Sequence, residues 1–214
     1  MSEAFQKLKF WKSLDYLDNI KTAGYTYCMA TAHEPNFYTY TDLLEIDENV
    51  RAELHDGEIV MMAPPLRQHQ SILMELSYQI KNFLKGKKCK VYPAPFGVRL
   101  FPKKDKSDDT VFEPDITVVC DPEKLDERGC NGAPDLVIEI LSQSTASYDR
   151  FYKYRKYQTA GVKEYWIVDP DQKYVQACIL ENSRYVVSMY DHTEKAPITV
   201  LDGCEIDLPA VFAE

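Results

Sequence analysis

The 214-residue chain has no basic excess: 25 Lys and Arg stand against 34 Asp and Glu, a net charge of -9. That balance argues against loose, sequence-independent binding of nucleic acid through a broadly positive surface, while leaving room for a local basic patch. The chain also has no closely spaced cysteine pair. Its six cysteines, at positions 28, 89, 120, 130, 178 and 204, are scattered without a C-x-x-C unit. Neither a zinc site nor a disulfide framework is expected, and a reduced, cytoplasmic setting fits best. No apolar run is long enough to cross a membrane, and there is no secretory h-region and no internal repeat. A soluble, intracellular protein without a membrane partner is the expectation.

What is present is enough apolar residue for a core, 45% of the chain, arranged as one ordinary domain with an extension. Residues 1–35 differ from the rest. Trp11, Leu14, Leu17 and Ile20 give a loose helical spacing that Gly24 interrupts, and three readings stay open: a peripheral helix, a disordered arm, or an upstream misreading of a start at Met29. From residue 36 to 214 a single domain is expected. Thr39 precedes a short helix as a candidate N-cap, with the helix ending near Asp47-Glu48-Asn49. Residues 51–54 and 58–62 flank Asp56-Gly57 as a β-hairpin. Leu73, Leu76, Ile80 and Phe83 lay an apolar stripe on a helix over 68–84. His69 stands one turn earlier on that line, more simply a satisfied core or capping histidine than a ligand. Lys81, Lys85, Lys87, Lys88 and Lys90 follow, as a solvated helix end or, in a sharper reading, a phosphate contact.

Residues 91–101 read as one strand kinked at Pro93-Ala94-Pro95. Phe112 to Cys120 is a strand opened by Pro114-Asp115, and Asp135 to Leu141 is an apolar strand with one carboxylate, Glu139, at its middle. A carboxylate isolated from water needs a proton, a cation or a donor. Alternation puts Asp115 with Thr117 and Val119 on one face, and Glu139 with Asp135, Val137 and Leu141 on one face of its own strand, so the two carboxylates can lie side by side on adjacent strands. Ser142 to Thr145 could cap a helix over 148–160 that Gly161 stops; on it Asp149, Lys153 and Tyr157 share a face, with Lys156 as a competing cation. A strand over 163–169 and two or three antiparallel strands among Tyr174–Leu180, Tyr185–Tyr190 and Ile198–Leu201 complete a mixed α/β fold with a central sheet. Two carboxylates and a lysine are the inventory of a magnesium-dependent phosphodiesterase. Taken singly, each has a bland explanation: a turn Asp after proline, a Glu at a solvated edge, a snorkelling Lys.

The blocks Glu53-Leu54-His55-Asp56-Gly57-Glu58-Ile59-Val60-Met61-Met62-Ala63-Pro64, Glu113-Pro114-Asp115-Ile116, Ala133-Pro134-Asp135-Leu136-Val137-Ile138-Glu139-Ile140-Leu141-Ser142, Tyr148-Asp149-Arg150 with Lys153 and Tyr157, and Ala160-Gly161-Val162-Lys163-Glu164-Tyr165-Trp166-Ile167-Val168-Asp169-Pro170 occur in that order. Over roughly residues 38–180 they closely resemble the Uma-two restriction-endonuclease family, a branch of the PD-(D/E)XK nuclease superfamily. The resemblance implies a restriction-endonuclease-like core, with a central mixed sheet flanked by helices, an N-terminal hairpin and C-terminal antiparallel strands. Position by position it implies catalytic roles for Asp115, Glu139 and Lys153. The superfamily's third motif position falls on Leu141, so the lysine is implied to have moved to the following helix. Asp115, Glu139 and the carbonyl of Ile140 are implied ligands of Mg²⁺ or Mn²⁺, with Glu58 and His69 as accessory groups. The implied substrate is DNA, with Lys81, Lys85, Lys87, Lys88, Arg150 and Lys156 facing phosphates, and a homodimer is expected. Two rival readings remain: a nuclease-like scaffold that binds nucleic acid or protein without catalysis, and a structural homodimer built on some of the 15 tyrosines.

Overall fold

A computed structural model describes residues 37–46, 50–142 and 148–213. The expectations for residues 1–35 and for a cap at 143–145 lie outside the described residues, and the short helix after Thr39 ends at Leu43, before the expected 47–49. Helix α1 (Tyr40–Leu43) opens the described chain, with the Thr39 backbone N–H and Oγ1 each donating to Asp42 Oδ2 at 2.8 Å. Strands β1 (Ala52–His55) and β2 (Glu58–Met61) form the expected hairpin, His55 facing Glu58. Its two turn residues, Asp56 at φ 50° and Gly57 at φ 86°, are both left-handed, the geometry that matches strand twist.

Helix α2 (Arg67–Phe83) follows. Its fully buried line is Ile72, Leu76 and Ile80, at spacings of four, while Leu73 and Phe83 lie partly buried at the margin of the expected stripe. The helix is thus rotated slightly from the face its bulkiest residues suggest. Residues 91–101 are not one kinked strand. They make β3 (Lys90–Pro93) and β4 (Gly97–Arg99), which belong to different sheets. Pro93 and Pro95 have no N–H to give to a ladder, so the chain leaves one sheet there and enters the other.

The rest runs through β5 (Val111–Phe112), β6 (Ile116–Val119), a 3₁₀ turn (Pro122–Lys124), β7 (Gly129–Asn131) and β8 (Leu136–Ile140). A π-helical turn (Tyr148–Lys153) passes into α3 (Tyr154–Ala160), which stops at Gly161 with φ 87°. Then come β9 (Glu164–Asp169), β10 (Tyr174–Glu181), β11 (Arg184–Asp191), β12 (Lys195–Ile198), β13 (Cys204–Asp207) and α4 (Leu208–Val211). The third C-terminal strand sits a few residues earlier than expected, because residues after Ile198 turn back toward β13.

Among the described residues three sheets result: β11-β10-β9-β8-β6-β3, β2-β1-β5-β4-β7, and the β12-β13 pair. In the six-stranded sheet β8 and β9 are parallel and the other neighbours antiparallel. That sheet has two apolar faces, so β8 and β9 are buried along their whole length. One face packs Ile116, Ile138, Ile140 and Trp166 against α2, the β12-β13 pair and α4. The other packs Val137, Tyr165 and Ile167 with Tyr157 of α3 and with Val98 and Phe112 of the five-stranded sheet. The mixed α/β reading with a central mixed sheet is the architecture found.

One expectation is overturned. Cys89 and Cys120 form a disulfide, where no disulfide was expected. They flank β3 and β6, and the pairing of Lys90 with Val119 brings them face to face, a juxtaposition that a separation of 31 residues hides in the sequence. The remaining free cysteines among the described residues, Cys130, Cys178 and Cys204, are buried.

β4 and β7 approach each other at two glycines. A Cβ on Gly129 would sit 1.9 Å from the Gly97 carbonyl oxygen, so the strands must separate to admit one. Gly129→Ala is expected to cost about 1–3 kcal/mol of unfolding free energy, as overpacking does. Chemical denaturation checks it, and an unchanged midpoint would show that the two strands are not in close contact.

Candidate active site

The site forms where the two large sheets meet the π-helical turn. Ile116 pairs with Ile138, so one step further along the same antiparallel ladder Asp115 stands across from Glu139, as alternation allows. Asp115 Oδ2 accepts the backbone N–H of Ile140 at 2.8 Å and lies 3.1 Å from His69 Nε2, on the first turn of α2. Glu139, buried near the end of β8, accepts at Oε1 from Lys153 Nζ at 2.9 Å and from the Tyr157 hydroxyl at 2.7 Å. Asp149, Lys153 and Tyr157 are all buried on one face, as their spacing predicts. The Asp149 carboxylate lies 3.7 Å from the ammonium.

Lys153 has a second partner, which sequence reasoning missed. Glu53, on β1 of the other sheet, accepts from Nζ at 2.9 Å through Oε1. The same Oε1 accepts the Glu113 N–H at 2.8 Å, and Oε2 lies 2.7 Å from His55 Nε2. The His55 ring in turn stacks on Tyr152, 5.2 Å between centroids, and meets Phe112 edge-on at 5.0 Å. Glu53 and His55 are two residues apart and so project to the same face of β1. A Glu-x-His pair inside a strand that is buried throughout was the available signal.

Three carboxylates, Glu53, Glu139 and Asp149, therefore surround one ammonium, with Asp115 across the ladder from Glu139. Burial pushes the Glu139 carboxyl well above its ordinary range, and Asp149, Asp115 and Glu53 push the same way against the pull of Lys153. Burial would also raise Glu53, but Lys153 and the His55 hydrogen bond outweigh it and hold that carboxyl at about 2. Burial acts to lower Lys153, and Glu139, Glu53 and Asp149 overcome it, raising the ammonium well above its usual value. Tyr157 is raised by burial and by Glu139.

The donor set suits a hard divalent cation in chemistry: carboxylate oxygens in excess over positive charge, beside the end of β8 where the Ile140 carbonyl lies. Among the described residues no three His, Cys, Asp or Glu side chains are grouped as an ion cage, and Glu53 and Glu139 instead both turn onto Lys153. Of the other expected residues, Glu58 is exposed on β2. Arg150 donates to Asp169 at 2.7 Å and to the Tyr174 hydroxyl at 2.8 Å, and Lys156 pairs with Asp56 at the hairpin turn. Lys81, Lys85, Lys87 and Lys88 are not brought to the site. They lie at the far end of α2, and the rise per residue puts Lys81 about 18 Å along the axis from His69.

The comparisons agree with this architecture. Residues 37–209 match the family described as "Uma2: Putative restriction endonuclease". A curated Synechocystis protein, "Uncharacterized protein slr1290", is 31% identical over 105 residues, 49% of this chain, and the match spans 53% of that protein, about half its length. Among solved structures, a crystal structure described as a "putative nuclease belonging to DUF820" from Anabaena variabilis superposes with a TM-score of 0.66 at 20% identity, covering 82% of this chain and 97% of that one. At that identity the likeness shows the fold.

The pKa directions fix a pH dependence. Glu53 is depressed when folded, so its contribution is present above the unfolded value of 4.5 and is lost as pH falls toward about 2. A shift of that size corresponds to about 3 kcal/mol. Glu139 has the opposite sign: its raised proton affinity favours the folded state at low pH and costs stability as pH rises above 4.5. In urea titrations from pH 5 down to 2, Glu53→Gln is expected to show a shallower loss of stability than wild type. An identical slope in both proteins would show that Glu53 is not held by Lys153.

Proposed function

The chain belongs to the Uma2 family and has a nuclease-like fold, and from this premise we propose that it is a metal-dependent endonuclease hydrolysing phosphodiester bonds in DNA. The observation that carries the reading is Lys153 Nζ held between Glu53 and Glu139, with Asp115 across the ladder. Asp115 and Glu139, with the Ile140 carbonyl, would hold Mg²⁺ or Mn²⁺. Such an ion supplies a Lewis acid for the phosphate and lowers the pKa of bound water.

The protein's own groups then have distinct tasks. Lys153 stays protonated, because its carboxylate neighbours raise its pKa, so it acts as a fixed positive charge for the pentavalent phosphate and not as a general base. Glu53 positions that ammonium from the second sheet, and His55 positions Glu53. His69 orients Asp115 through its Oδ2. Tyr157 fixes the Glu139 carboxylate by donating to it. Arg150 on the π-helical turn and Lys156 on α3 are proposed phosphate contacts at the rim. The lysines at the end of α2 would meet only a nucleic acid that extends well past the site. The two carboxylates drawn onto Lys153 also suit a scaffold that binds nucleic acid without cutting it.

Cleavage of supercoiled plasmid separates these readings. With Mg²⁺ or Mn²⁺ the wild type is expected to nick, and chelator to stop it. Asp115→Asn and Glu139→Gln are expected to lose at least about 100-fold in rate while unfolding cooperatively, in line with the loss of a charged group that acts at the transition state. No nicking with either metal, together with salt-dependent retention of the plasmid, would replace the nuclease with a binding module.

A further inference from the structure

Strand β11 is one of the two edge strands of the six-stranded sheet. Its hydrogen-bond parity is set by the Asn182-Ser183 turn and by His192 N–H donating to the Lys173 carbonyl at 3.1 Å. Residues 184, 186, 188 and 190 therefore turn their N–H and C=O groups to β10, and Tyr185, Val187, Met189 and Asp191 turn theirs outward.

The outward N–H groups are treated unequally. Tyr185 N–H is taken by the Gln158 side chain at 2.9 Å, and Asp191 N–H by Glu194 Oε2 at 2.7 Å. Both ends of the edge are closed by side chains, the usual defence against strand addition. Between them no such cap is found among the described residues, and Val186, Val187 and Met189 are 50%, 45% and 54% exposed. An apolar, uncharged, open window sits at the middle of an otherwise blunted edge.

We propose that this window pairs with the same window of a second copy of the chain, antiparallel about a two-fold axis at Ser188. Parity permits it. Val187 of one copy then faces Met189 of the other, both with outward groups, so each pair exchanges N–H and C=O bonds. Ser188 faces Ser188, and Val186 packs beside Tyr190, which is partly buried against the core. The next outward residues on either side, Tyr185 and Asp191, are those already capped, so the ladder ends where the caps begin. The capped residues Tyr185 and Asp191 lie equally far on either side of Ser188, so a two-fold-related copy brings its own caps to the same limits. The two sheets become one continuous sheet, an isologous contact that leaves both candidate sites free. The inference is independent of the nuclease reading.

Sedimentation velocity across micromolar to hundred-micromolar protein is the first test, with mass expected to rise toward twice 24.7 kDa. Val187→Pro removes one outward N–H while leaving the β10 ladder intact, and proline is tolerated where an edge N–H faces outward. It is expected to be monomeric throughout the range with a Tm near that of wild type. In a Cys28→Ser background, Ser188→Cys is expected to cross-link under mild oxidation, since a facing non-hydrogen-bonded pair lies about 4.5 Å apart between Cα atoms. Val186→Cys, displaced about 13 Å from its own copy by strand rise, is expected not to cross-link. A monomer at every concentration, a dimer that survives Val187→Pro, or equal cross-linking at both positions would overturn the proposal.

Discussion

The structure depends on one buried ammonium. Lys153 Nζ bonds a carboxylate from each large sheet, Glu53 from the five-stranded and Glu139 from the six-stranded one, and its own backbone is the junction between the π-helical turn and α3. Charges this deep are stable only in company, and removing the cation would leave three carboxylates facing one another without water. Apolar contacts hold the sheets together in general; the ammonium fixes their relation at one point. The point it fixes is the one where chemistry is proposed, so the same contact serves the fold and the site.

Much of this could be read in advance, for identifiable reasons. Glu139 announced itself as a lone carboxylate in an apolar strand, and Asp115 followed from strand parity. Asp149, Lys153 and Tyr157 followed from spacings of four, which survive even though the first turn is π-helical. Glu53 did not follow. It lies a hundred positions from Lys153 and in another sheet, and no local period reports which sheets will face each other. The likeness to a family pointed to Glu58, five residues on, which the tight turn carries out to solvent. The Cys89–Cys120 bond was hidden for a related reason, since it depends on strand register between segments separated by two strands of the other sheet.

The proline-rich step between β3 and β4 shows a different limit. The sequence marked the break correctly, but a break has two outcomes, a kink within one sheet or passage to another. Residues far from it decide: β4 is held by β5 and β7, and β3 by β6. The two glycines at the β4–β7 contact are what let that second neighbour come close.

The Ile140 amide has a consequence of its own. Where β8 runs past the end of β6, its N–H bonds not to another backbone carbonyl but to the Asp115 carboxylate. The last rung of the ladder is therefore a group that can gain a proton or be drawn to a cation, unlike the peptide rungs before it. Anything that claims Asp115 competes with the sheet for it, so the firmness of this strand end and the chemical state of the site are one quantity seen from two sides.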